Sequence, residues 1–114
     1  MANYCRGITY WTTDNGPSNG LLCTSDTTND VKVSITVDTG CALGGCCAHS
    51  NWKMRLQRYE NDRWNTIGTR TGYVCSDDPS HRTFTNVLRK NAPMRVLVYF
   101  ESDGQTVSSK QWVR

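Results

Sequence analysis

The sequence predicts an all-β chain: a single-domain antiparallel β-sandwich of Ig-like or Greek-key kind, or a small barrel, spanning residues 1–114 and stapled by disulfides. Three observations carry that expectation. Apolar and polar residues alternate with period two through several segments. Turn-forming clusters separate these segments at roughly ten-residue spacing. Six cysteines occur in only 114 residues, an even count that in a short chain points to a disulfide framework. No window shows a helical period with caps.

The clearest strands are Val31 to Val37, Trp52 to Gln57 and Met94 to Phe100. The first places Val31, Val33, Ile35 and Val37 on one face. The second turns Trp52, Met54 and Leu56 inward, and the third does the same with Met94, Val96, Val98 and Phe100. Weaker strands are expected over Tyr4 to Thr12, Gly20 to Thr24, Trp64 to Thr69, Arg82 to Val87 and Gln105 to Val113. Turns are expected at Asp14-Asn15-Gly16-Pro17, Ser76-Asp77-Asp78-Pro79 and Ser102-Asp103-Gly104. Glu60-Asn61-Asp62-Arg63 reads as a hairpin connection, and Asp103-Gly104 as a stronger one.

The cysteines are Cys5, Cys23, Cys41, Cys46, Cys47 and Cys75. Their pairing stays open, except that a Cys46–Cys47 bond is disfavoured: adjacent Cα atoms lie about 3.8 Å apart, below the usual disulfide range. Asp38 to Asn51 (DTGCALGGCCAHSN) is the least strand-like stretch, and its cysteines suggest a stapled loop. A metal site on Cys41, Cys46, Cys47 and His49 competes, but lacks the paired knuckles of common zinc modules. Met1-Ala2-Asn3-Tyr4-Cys5 has neither the basic nor the apolar region of a signal peptide. The cysteine usage nonetheless favours a secreted chain, extracellular or periplasmic, with Met1 a start placed ahead of a mature sequence.

The composition, 37% hydrophobic and 20% charged, is that of a folded protein rather than a disordered one. No apolar run approaches the roughly 18 residues of a transmembrane helix. The net charge of +3 is unevenly spread. Up to Asn51, Arg6 and Lys32 stand against Asp14, Asp26, Asp30 and Asp38, giving −2; from Trp52 onward, eleven basic residues stand against six acidic ones, giving +5. Arg82, Arg89, Lys90 and Arg95 follow one another without an intervening acid, a run suited to phosphates or anionic polymers.

No G-x-S-x-G elbow, H-E-x-x-H helix, P-loop or dinucleotide fingerprint is present, and binding is favoured over turnover. The four tryptophans and five tyrosines are the informative group. Strand parity puts Tyr59 on the face of Arg55 and Tyr99 on the face of Arg95. Either Tyr10 or Trp11 must face away from the core. The expected function is that of a secreted binding protein for a glycan-bearing or anionic surface, as an antimicrobial or toxin-like effector or as a pure binder. Its binding residues would be Trp11, Arg55, Arg58, Tyr59, Arg89, Lys90, Arg95 and Tyr99, with no cofactor and no catalytic residue assigned. A protein or nucleic-acid partner is a further option. Alternatives are a nuclease-like toxin using His49 or His81, with Arg55 or Arg58 on the phosphate, and a protease inhibitor presenting Arg70 from a Thr69-Arg70-Thr71-Gly72 loop. Calcium at Asp26, Asp30 and Asp38, or at Asp77 and Asp78, does not fit the EF-hand loop pattern, and acidic turn residues normally cap local backbone groups.

Overall fold

The computed structural model describes residues 2–12, 16–38, 47–76 and 78–114. The turn at Asp14 and Asn15, most of the cysteine-rich loop with Cys41 and Cys46, and Asp77 lie outside them.

Nine strands and no helix make up the described chain: β1 (Ala2–Thr12), β2 (Gly16–Asp26), β3 (Val31–Val37), β4 (Ser50–Glu60), β5 (Arg63–Val74), β6 (Ser80–Phe84), β7 (Pro93–Phe100), β8 (Gln105–Ser108) and β9 (Trp112–Val113). They form two antiparallel sheets. One has the order β1-β2-β3-β6; the other has β5-β4-β7-β8, with β9 also pairing β7. The three clearest segments all form strands, and the weaker ones prove longer or shorter than their pattern. The stretch from Gln105 to Val113 splits in two, and β6 ends at Phe84 rather than Val87. Asn61 and Asp62, both at positive φ, form the two-residue turn between β4 and β5 that such backbone angles favour.

Each sheet has one apolar face because its residues alternate. Ile8, Tyr10, Leu22, Val33, Ile35 and Phe84 of the first sheet join Trp52, Met54, Leu56, Val96, Val98 and Phe100 of the second in one core. Tyr10 and Phe100 stack across it, ring centroids 4.3 Å apart, and the buried Tyr10 hydroxyl donates to the Ala48 carbonyl at 2.6 Å. Fully burying one large apolar side chain of this kind contributes about 1.5–3 kcal/mol.

The sheet edges are bridged by arginines. Arg70 on β5 donates to the Thr83 carbonyl of β6 while its guanidinium lies 4.4 Å from the Phe84 ring centroid. Reciprocally, Arg82 on β6 donates to the Thr71 carbonyl of β5 and lies over Trp52. Gly72 makes the second arrangement fit: a Cβ there would come within 2.5 Å of Trp52 and 2.6 Å of the Arg82 guanidinium. At the opposite edge, Arg6 of β1 reaches the Ser108 carbonyl of β8. One end is tied by Arg114, whose buried guanidinium binds Asp26 and the carbonyls of Thr27 and Val87.

The Cys5–Cys23 disulfide joins residues directly opposite each other on β1 and β2, with Cα atoms 4.1 Å apart. It therefore staples neighbouring strands of one sheet rather than the two layers. Cys47 and Cys75 are disulfide-bonded as well.

Three outcomes follow. Gly72→Ala should cost about 1–3 kcal/mol, because the added methyl displaces Trp52 or Arg82; an unchanged urea midpoint would contradict this packing. Replacing Cys5 and Cys23 together by serine should cost at most about 3 kcal/mol, the loop-entropy value for a separation near 18 residues. The third concerns pH. Burial, reinforced by Tyr73, pushes the Tyr10 phenol up to about 12. An unfolded tyrosine titrates near about 10, so the protonated phenol's contribution is complete below that pH and is lost as pH rises through the folded value. Urea unfolding at pH 8, 10 and 11 should show a decline above pH 10 that is smaller in Tyr10→Phe.

Candidate anion-binding face

The inward register of β4, β5, β7 and β8 dictates what points outward. On β4 the outward residues are Asn51, Lys53, Arg55, Gln57 and Tyr59. Their partners on β5 are Tyr73, Thr71, Thr69, Thr66 and Trp64, in the same order. On the other side, Lys53, Arg55 and Gln57 face Tyr99, Leu97 and Arg95 of β7. Thr106 and Ser108 of β8 extend the rows of Tyr99 and Leu97. Glu60, the one acid in these four strands, lies on the inward parity at the end of β4 and pairs with Arg58 and Lys90. The outer face consequently carries Lys53, Arg55 and Arg95 without a carboxylate among its strand positions.

One of these cations sits against an aromatic pair. The Arg95 guanidinium lies 4.2 Å from the Trp64 ring centroid, and Trp64 meets Tyr59 edge-on at 5.4 Å. Arg95 Nε donates to Gln57 Oε1 at 2.8 Å, which fixes the guanidinium plane against the ring. Partial burial and the neighbouring charge of Arg55 both lower the Arg95 pKa. Two like charges held together in this way favour an anion that reaches both. A bulge shapes one margin: Leu56 pairs Gly68 and Gln57 pairs Thr66, leaving Ile67 as an extra residue on β5.

The structure divides the residues expected to bind. Arg55, Tyr59, Arg95 and Tyr99 share this face. Trp11 is 59% exposed, with Tyr10 turned inward beside it, but it belongs to β1 of the other sheet; its backbone N–H donates to Asp103. Arg58 is only 4% exposed. It continues the inward parity of Trp52, Met54 and Leu56, and its charge is met by the Leu88 carbonyl and Glu60. Arg89 is spent internally, donating to Asp26 and to the Thr27 and Thr28 carbonyls. Lys90 stands 3.7 Å from Glu60. Trp64 was absent from the expected set, although the hairpin register that puts it opposite Tyr59 is readable from the Glu60-to-Arg63 turn.

The alternative chemistries fare differently. His81 lies on the outer face of the first sheet opposite Ser34, whereas His49 stacks on Tyr73 of the second; each is on a different sheet's surface. Arg70 lies within β5 and is bonded to Thr69 and Thr83, so it is not a projecting loop residue. The disulfide at Cys47 removes that residue as a thiolate ligand. Asp26 is engaged by Arg89 and Arg114, and Asp30 accepts from the Asn86 backbone. Among the described residues, no helix is long and apolar enough to cross a membrane. No protein-family model, curated protein or solved structure matches this chain.

Proposed function

We propose that this protein is a secreted, disulfide-stabilised β-sandwich that binds acidic polysaccharide through the outer face of β4, β5, β7 and β8. The observation that carries the reading is the juxtaposition of Arg55 and Arg95 with Trp64, Tyr59 and Tyr99 on strand positions free of carboxylates. Lys53 and Arg55 lie two residues apart, about 6.8 Å along the strand. With Arg95 on the adjacent strand they form a row of positive charge, of which Lys53 stands 3.9 Å from Glu101 just beyond β7 and Arg55 and Arg95 carry the excess. Sugar rings suit the aromatic faces, and their carboxylate or sulfate groups suit the guanidinium groups. Threonine hydroxyls at positions 69, 71 and 106 add donors and acceptors for sugar hydroxyls. The disulfides suit an extracellular setting. An antimicrobial or toxin-like role would add damage to this binding step.

A heparin hexasaccharide titrated by calorimetry tests the reading. Three neutralised anionic groups predict a log–log salt slope of about −2 to −3, a roughly 30-fold weakening from 50 to 200 mM salt. Arg55→Ala combined with Arg95→Ala should remove about two-thirds of that slope. Trp64→Ala should weaken binding about 5- to 100-fold while leaving the slope unchanged. Equal binding of a neutral hexasaccharide would overturn the proposal. Tighter binding of a single-stranded oligonucleotide of the same charge would replace the glycan by a nucleic acid.

A further inference from the structure

A second feature lies away from that face, where the edges of β5 and β6 meet the chain that follows β6. A cavity of about 250 Å³ opens there, its wall shared between apolar Leu56, Ile67, Phe84 and Leu88 and polar Thr85 and Asn86. Two of these are unusually exposed for their type: Ile67, which the bulge pushes out of register, and Leu88 at 67%. Gly68 lets the Phe84 ring pack directly on the β5 backbone beside the cavity, since a Cβ there would sit 2.7 Å from that ring.

Arg58 also lines this cavity. One of its terminal nitrogens is bonded to the Leu88 carbonyl and the other lies 3.7 Å from Glu60. Its buried Nε finds no acceptor among the described residues. The guanidinium is thus incompletely answered, which is costly for a buried cation and favours an anionic acceptor at the cavity wall. Arg70, over the Phe84 ring, adds a second positive charge to the wall.

We propose that this cavity binds a carboxylate bearing one apolar group, with the carboxylate accepting from Arg58 and the apolar group lying against Leu56, Ile67, Phe84 and Leu88. The occupant is a small free monocarboxylic acid. Its size follows from the volume: an apolar cavity of about 150 Å³ holds benzene, so this one has room for a ring or short chain plus the acid group. The C-terminal residue of a peptide would offer the same chemistry. The inference is independent of the polysaccharide face, because none of the cations or rings of that face lines the cavity.

Protein-observed NMR titration with phenylacetate and hexanoate, against phenylacetamide and hexanamide, is the test. Saturable shifts centred on Ile67, Gly68 and Leu88 at acid concentrations below about 10 mM, and at least tenfold weaker binding of the amides, are expected. Leu88→Glu, at an exposed lip position that the core does not need, should weaken acid binding at least tenfold by placing a like charge at the mouth. Arg58→Met should abolish the acid-over-amide preference if it folds; Leu88→Glu keeps the proposal falsifiable if it does not. Binding of a peptide ending in phenylalanine only with a free C-terminus, without binding of the free acids, would retain the carboxylate site and overturn the small-acid occupant. Equal binding of acids and amides, or no saturable shifts, would overturn the site itself.

Discussion

Tyr10 and Phe100 stack where the two sheets meet, and the contact is made possible by alternation along every long strand. Because each sheet has only one apolar face, that face must be covered by the other sheet's. Once it is, the opposite face of each sheet points away from the core, whatever residues it carries. The outward row of Lys53, Arg55, Gln57 and Tyr59 is thus fixed by the same register that buries Trp52, Met54 and Leu56. The candidate binding surface and the core are two sides of one constraint.

The arginines divide into two populations under that constraint. Arg70 and Arg82 bridge the β5 and β6 edges, each donating to a carbonyl of the other strand and each over an aromatic ring. They supply contacts that the two unpaired edges cannot make through their own backbones, and they block those edges against further strand pairing. Arg89 and Arg114 converge on Asp26 and the loop after it. Arg55 and Arg95 are different, since neither meets a carboxylate among the described residues, both lie on the outer sheet face, and Arg95 stands over the Trp64 ring. Much of the basic excess of the second half is therefore structural, with a small remainder available to a partner.

Much of this was legible in the sequence, and the failures have identifiable causes. Val31 to Val37 emerged with unchanged bounds because its alternation is uninterrupted. β5 was harder to read, since the bulge at Ile67 shifts its parity midway and glycines hold two of its inward positions. Arg58 was expected at the surface on account of its charge, although its parity matched the core; the Leu88 carbonyl that accommodates it is thirty residues away. Arg89 was misread for a similar reason, as its acceptors come from the β2–β3 connection. Side-chain periodicity is local and survives translation into structure. The partner of a long cationic side chain is set by topology, which a single sequence does not display.

The most direct test of the account is a residue-resolved map of where an acidic oligosaccharide touches the protein. In an NMR titration with a heparin hexasaccharide, the outward residues of β4 and β7, together with the Trp64 indole, should shift first and saturate together. Lys32 and His81, on the outer face of the other sheet, should stay unmoved. Perturbations centred on Lys32 and His81, or on Arg89 and Lys90, would contradict the assignment of the binding face.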